Sequence, residues 1–256
     1  MAGSDVGNVN TNRGVSWVSS PAFGTVALDF LIRGSAHPCP YRPGLEACEQ
    51  VFMADKFPPE LYHDFMDIGF RRSGIYFYRP ECRSCSACRP IRTVLPKFRF
   101  GKSLRRILKK NSDVIVSVGS PKFTVDKYRL YSYYLESRHN STSSDSPSGV
   151  KNSLYSSPVQ TLEFEYRLGG RLIGAGLVDI CSRSLSSVYA YYDPNLSSRS
   201  LGTFSALHEI MFALKYRISY YYLGFWVSDC SSMNYKAHYK PFEILSQSFQ
   251  WEGQAD

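Results

Sequence analysis

Two short runs, Thr161–Leu168 and Leu172–Asp179, flank Gly169-Gly170, the signature of a tight β-hairpin. A third strand pattern follows over Ser186–Tyr192. An amphipathic helix comes next over Leu201–Tyr216, with Leu201, Phe204, Leu207, Ile210, Met211 and Leu214 at helical spacing. Tyr220–Phe225 reads as a buried strand, Ser232–Tyr239 as a short helix and Phe242–Leu245 as a final strand. Strands, then one long helix, then a returning strand confine this half of the chain to an α+β fold, or an α/β fold, with a mixed sheet.

Upstream the pattern is looser. Residues 1–20, rich in Gly, Ser and Asn, read as a flexible tail. Ala27–Ile32 reads as a strand, and 33–44 as a loop kinked by Gly34, Pro38, Pro40, Pro43 and Gly44. Pro59–Gly69 carries Leu61, Phe65 and Ile68 at helical spacing, and Ile75–Arg79 alternates as a strand does. Ser103–Asn111 is a second helix with Leu104, Ile107 and Leu108 on one face; Val114–Val118 is a strand and Lys127–Arg138 a Tyr-rich helix. Residues 140–157, Ser-rich with Pro147 and Gly149, read as a flexible insertion outside the core. The expected organisation is a tail over 1–20, an N-terminal Cys-rich and basic region over 21–112, and a C-terminal domain over 113–256.

The charge is concentrated. Of the 256 residues, 71–110 hold 13 Lys and Arg and one acid, Glu81, so this stretch carries +12 of a total of +8 and the remainder sums to −4. Arg105, Arg106, Lys109 and Lys110 recur at i, i+1, i+4 and i+5, so one helix face presents all four. A solvated face usually interleaves acids; this one has none, which points to a phosphate backbone. No DNA-reading module is visible, so RNA rather than DNA is the expected partner. There is no signal-peptide pattern and no apolar run of about 18 residues, and the seven cysteines are an odd number. A reduced, cytoplasmic protein with no membrane contact is expected.

Three cysteines, Cys82, Cys85 and Cys88, form C-x-x-C-x-x-C, a spacing at which one turn aims thiolates at one ion. Cys39, in the rigid His37-Pro38-Cys39-Pro40 loop, is the expected fourth ligand, with Cys48 and His37 as runners-up. Zinc and an iron–sulfur cluster suit such a site equally. Buried thiols or a redox dithiol are the alternatives. Cys181, at an apolar strand end, reads as core. A further feature is Tyr191-Tyr192-Asp193-Pro194 followed by Arg199-Ser200-Leu201-Gly202: an Arg-x-x-Gly loop opening a helix exposes backbone N–H groups to an anion.

These stretches together resemble the aminoacyl-tRNA–protein transferases of the bacterial leucyl and eukaryotic arginyl type. The resemblance lies in C-P-Y-R-P-G at 39–44, G-F-R-R-S-G at 69–74, Y-R-P-E-C-R-S-C-S-A-C-R-P-I-R at 78–92 and L-R-R-I-L-K-K-N-S-D at 104–113. It continues with S-V-Y-A-Y-Y-D-P at 187–194, R-S-L-G-T-F at 199–204, Y-Y-Y-L-G-F-W at 220–226 and C-S-S-M-N-Y-K at 230–236. It implies an N-terminal cysteine region joined to an acyltransferase fold of the N-acetyltransferase type. It also implies transfer of an amino acid from its tRNA to the N-terminal amine of a protein beginning with Asp or Glu, which marks the product for N-end-rule degradation. Arginyl-type relatives are said to hold an iron–sulfur cluster through matching cysteines. Gly74 resembles the arginyl branch, whereas the C-x-x-C-x-A-C form and the short chain resemble the bacterial branch; leucyl transfer is favoured, with arginyl transfer as the alternative.

An aminoacyl ester is already activated, so neither ATP nor CoA is required. Asp193 with Tyr191 or Tyr192 is the candidate set for deprotonating and orienting the amine, although Asp193 before Pro194 also reads as a turn former. Arg71 and Arg72, with Lys236, are candidates to grip an acidic first residue. The resemblance places Cys230, Met233 and Tyr235 near the same end. Tyr220–Tyr222 and Phe225-Trp226 read as sheet core or acyl-pocket lining. An arginyl side chain would need a carboxylate, with Glu209 or Glu243 as candidates. Two other classes fit parts of the chain: a metal-containing RNA-binding module without catalysis, and a small-molecule N-acetyltransferase using acetyl-CoA.

Overall fold

The computed structural model describes residues 17–20, 24–27, 31–139 and 145–253. β1 (Trp17–Ser20) and β2 (Gly24–Ala27) pair with each other, so the last part of the expected tail is a strand; the rest of it lies outside the described residues. Of the strand expected over Ala27–Ile32, Ala27 ends β2 and residues 28–30 lie outside the described residues. β3 (Ile32–Arg33), β4 (His37–Pro38), β5 (Glu46–Ala47) and β6 (Glu49–Met53) follow, then α1 (Pro59–Asp67), β7 (Arg71–Ser73) and β8 (Tyr76–Pro80). A small sheet has the order β3-β6-β8-β7.

Next come β9 (Arg89–Val94), α2 (Lys102–Lys110), β10 (Val114–Gly119), α3 (Val125–His139) and α4 (Pro147–Val150). They lead to β11 (Thr161–Leu168), β12 (Arg171–Ile180), β13 (Ser184–Tyr192), α5 (Leu201–Lys215) and β14 (Tyr220–Trp226). The chain ends its described part with α6 (Ser231–Asn234), a 3-10 turn over Tyr235–His238, β15 (Phe242–Leu245) and β16 (Trp251–Gly253). The main sheet has eight strands in the order β10-β11-β12-β13-β14-β9-β15-β16. Every pairing in it is antiparallel except β13 with β14, which the α5 crossover makes parallel. This is the mixed α+β architecture expected. No helix among the described residues is long and apolar enough to cross a membrane.

Strand alternation sends neighbours to opposite sides. Leu185, Tyr221 and Leu223 pack with Phe204, Leu207 and Ile210 of α5. Tyr222 instead packs with Tyr62, Phe65 and Met66 of α1. Ala175, Leu177 and Tyr191 pack with Tyr131 of α3. Each such apolar side chain contributes about 1.5–3 kcal/mol on burial, so α5 on one face and α1 and α3 on the other clamp the sheet.

Two expectations of organisation are corrected. β9 comes from the basic N-terminal region, yet it lies between β14 and β15 in the main sheet, so residue 112 is no structural boundary. The Ser-rich stretch is not a free insertion over its described part. α4 and the turn Lys151–Tyr155 bury Val150 and Leu154 beside Tyr131 and Tyr191, because those two apolar side chains meet one face of the helical turn. Residues 140–144 lie outside the described residues.

Candidate active site

β13 and β14 are paired only at Ser184–Tyr220, Leu185–Tyr221 and Ser186–Tyr222. Beyond these pairs the strands part. There β14 also slips its register against β9 between Tyr222 and Gly224, and Gly224 has φ +88°, a conformation that favours glycine. The splay leaves a gap in the sheet.

Two cations enter it. Arg71, from β7, is 7% exposed; its Nη2 donates to the carbonyl of Ser187, and its Nη1 is buried without a hydrogen-bond partner among the described residues. Lys236, 8% exposed, donates from Nζ to the Phe225 carbonyl at 2.6 Å and lies 3.5 Å from Met233 Sδ. A β-carbon at position 224 would sit 3.5 Å from Lys236 Nζ and 3.8 Å from Arg71 Nε and Nη2, so both head groups reach one spot. Burial first, and then the Arg71 guanidinium, push the Lys236 amine down to about 7. Two buried basic groups therefore meet at one spot with no carboxylate among their hydrogen-bond partners in the described residues.

Arg72, the other expected grip, is not available. Its side chain and that of Asp179 are both fully buried, and they form a two-point ion pair at 2.6 and 2.8 Å. Thr161 at 2.7 Å and Tyr62 at 3.1 Å complete the Asp179 carboxylate. Adjacent positions of β7 face opposite ways, which sends Arg71 to the splay and Arg72 inward.

The Tyr191, Tyr192 and Asp193 set does not converge. Tyr191 is 1% exposed on the α3 face, its hydroxyl 2.7 Å from that of Tyr155, and burial raises its phenol pKa. Tyr192 lies on the opposite face against α5, where a β-carbon on Gly202 would come within 3.1 Å of its ring. Asp193 caps the following turn through Asn195 N at 3.0 Å and pairs with Arg171 at 2.7 Å, so it is the turn former.

α2 turns its exposed face, with Arg105, Arg106, Lys109 and Lys110, outward, while Leu104, Ile107 and Leu108 pack on the core. Its C-terminal end is tied to the Arg-x-x-Gly loop. Lys110 Nζ donates to the Ser198 carbonyl, Asn111 Nδ2 donates to the Arg199 carbonyl at 2.9 Å, and Arg199 grips Asp113 at 2.7 and 2.9 Å. The basic helix and the start of α5 are therefore one surface.

A fourth cluster lies under the splay on the α5 face. Glu209, 1% exposed, accepts from Ser205 Oγ at 2.9 Å and from Tyr221 OH at 2.5 Å, and Ser205 meets Tyr166 OH at 2.9 Å. Sequence reasoning reached Glu209 only as an alternative and missed Ser187, Ser205 and Asp179. The run Ser184, Ser186, Ser187 in an otherwise apolar strand was the available signal.

Cys39, Cys82, Cys85 and Cys88 line one cavity of about 350 Å³, with Tyr41, Tyr78 and Phe225 among its other walls. Burial first, then the neighbouring thiols, push Cys88 up to about 12. The thiols suit a soft metal chemically, but among the described residues no three His, Cys, Asp or Glu side chains are disposed to hold a metal ion. The runners-up are engaged elsewhere: Cys48 with Arg33 Nε at 3.3 Å and His37 with Glu49 at 3.1 Å. This arrangement does not fit a closed coordination set. Cys181 is core, 4% exposed, with its thiol pushed up to about 12 by burial. Because the thiolate is the reactive form, brief alkylation of the native protein at about pH 8 should leave Cys181 unmodified by mass spectrometry; labelling as fast as an exposed thiol would remove it from the core.

Residues 37–106 match the family model for the arginine-tRNA-protein transferase N terminus, and residues 126–246 match that for its C terminus. Among curated proteins, the aspartate/glutamate leucyltransferase of Pseudomonas putida (strain W619) is 38% identical over 215 residues, covering 82% of this chain and 90% of the relative. That of Pseudomonas syringae pv. tomato is 38% identical over 216 residues, covering 82% and 91%. Among solved structures, L-PGS from Bacillus licheniformis has a TM-score of 0.45 at 12% identity, covering 68% of this chain and 52% of that one. FemX has a TM-score of 0.43 at 8% identity, covering 72% and 64%.

Proposed function

Because this chain belongs to the arginine-tRNA-protein transferase family, we propose that it moves leucine from Leu-tRNA to the N-terminal amine of proteins beginning with Asp or Glu. It is an aminoacyltransferase; the leucyl donor and acidic acceptor follow the relatives' name. The observation that carries the acceptor half is the Arg71 guanidinium, whose Nη1 has no partner among the described residues, meeting Lys236 at Gly224. A first-residue carboxylate placed there satisfies both buried cations. The amine then attacks the ester carbonyl, an oxyanion forms, and the ribose oxygen departs. Holding the amine and the ester together supplies much of the rate.

Leucine is favoured over arginine by the state of the acids. An arginyl side chain needs a free carboxylate, but Glu209 is engaged by Ser205 and Tyr221, and Glu243 is paired with Arg92 at 2.8 Å. Charging tRNA with leucine and with arginine and comparing turnover tests the donor.

For the acceptor, a charge-assisted pair is worth about 1.5–3 kcal/mol. At about 1.4 kcal/mol per decade, wild type should prefer a peptide beginning with Asp over one beginning with Asn by roughly ten- to a hundredfold in kcat/KM. Arg71→Met and Lys236→Met should each remove most of that ratio. Full discrimination surviving in both variants would defeat the assignment.

A further inference from the structure

As an amine nitrogen bonds to an ester carbonyl it must shed a proton, and the leaving oxygen must gain one. Asp193 is paired with Arg171 and caps its own turn, and Tyr191 lies on the α3 face beside Tyr155. The buried cluster around Glu209 has no part in gripping a carboxylate, yet it touches the same strand position. Ser187 is half-buried and is the first residue of β13 beyond its last pair with β14. Its carbonyl accepts from Arg71, and its hydroxyl is among the groups that favour the charged form of Glu209. If the acceptor reading above holds, a first-residue carboxylate on Arg71 brings its own α-amine within one residue's length of Ser187.

We propose that Glu209, acting through the Ser187 hydroxyl, receives the proton that the acceptor amine loses as its nitrogen bonds to the leucyl carbonyl carbon. The amine enters as the free base, its ammonium proton left in solvent. The attacking nitrogen gives one proton to Ser187 Oγ, and the Ser187 hydroxyl proton passes to Glu209. The bond from carbonyl carbon to ribose oxygen then breaks. That oxygen takes a proton back along the same path, so both residues end as they began.

The surroundings suit a group that must gain and lose a proton. Burial pushes the Glu209 carboxyl up to about 7, against the hydrogen bonds from Tyr221, Ser205 and Ser187 that favour its charge. The groups facing it are phenols: Tyr166 of β11, Tyr221 of β14, and Tyr235 and Tyr239 after α6. β12 makes room with Gly176, where a β-carbon would lie 2.9 Å from Glu209 Oε1. The ionised form is the base, so the single-turnover rate at saturating peptide should climb as pH rises through about 7 and then level, while loss of the Lys236 charge near the same pH weakens peptide binding and is read in KM.

The test is single-turnover transfer from Leu-tRNA to a peptide beginning with Asp, followed from about pH 6 to about pH 9. Glu209→Gln, which keeps the shape, should be slower by about 10²–10⁴-fold and lose the rise and plateau near pH 7. Its KM for tRNA and peptide and its melting temperature should be close to wild type. Ser187→Ala should lose as much, and the double variant should lose no more than either, since the two act as one unit. Glu209→Gln within about threefold of wild type with the same pH profile overturns the proposal. So does Ser187→Ala at full rate, which would leave Glu209 as a support for α5; that variant decides alone if Glu209→Gln fails to fold. Equal use of Asp and Asn peptides by wild type would instead defeat the acceptor reading, while the pH profile of Glu209→Gln stays measurable with either peptide.

Discussion

Removing the Asp179 carboxylate should cost the fold about 3–5 kcal/mol, the loss expected when one partner of a buried ion pair is deleted. Against a total of about 5–15 kcal/mol, that is enough to leave an Asp179→Ala chain partly unfolded. The reason is what remains. Arg72 stays fully buried, with only the carbonyls of Gly74 at 2.9 Å and Ser156 at 3.3 Å among its strong partners, and Tyr62 and Thr161 each lose an acceptor. The charge then has neither water nor a counter-ion. Urea unfolding should show a lower midpoint with an unchanged slope. Replacing both partners, as in Arg72→Met with Asp179→Leu, should recover much of the loss, since a buried pair exchanged for apolar side chains is often near neutral. A single Asp179→Ala that lost under about 1 kcal/mol would show the pair to be dispensable.

The second large effect concerns the donor. Replacing Arg105, Arg106, Lys109 and Lys110 with Gln should flatten the dependence of log K for tRNA on log salt by up to about three units, at roughly 0.7–0.9 per phosphate contact. Binding at low salt should fall by orders of magnitude while the melting temperature stays put, because Leu104, Ile107 and Leu108 keep α2 on the core. Lys110 also braces the Arg-x-x-Gly loop through Ser198. A triple variant that spares it separates lost charge from a loosened loop. An unchanged slope in both would place the tRNA on another face.

What the sequence disclosed follows from the range of the forces involved. The hairpin, α5 and α2 were legible because their periods are local: the two glycines set the turn, and apolar side chains every three or four residues set the helices. The role of β9 was not, because Val94 pairs with Tyr220, 126 positions later, and nothing near Val94 records that. Arg71-Arg72 illustrates the same limit at the site. The pair invites a carboxylate partner, but which of them faces substrate and which faces Asp179 depends on the register of β7, which only the assembled sheet decides. Asp193 shows the opposite case, where the local reading of a turn former before Pro194 was sufficient.

The position of β9 also bears on how this chain is made. Synthesis delivers Arg89–Val94 long before Tyr220–Trp226 and Phe242–Leu245, the two strands that flank it. Until they emerge from the ribosome, an early strand waits with both edges open, and such edges invite wrong partners. Pairing across so many residues is also intrinsically slow. The same geometry means that a fragment cut between the two family regions leaves β14 and β15 without the strand between them, so neither half is a self-sufficient unit.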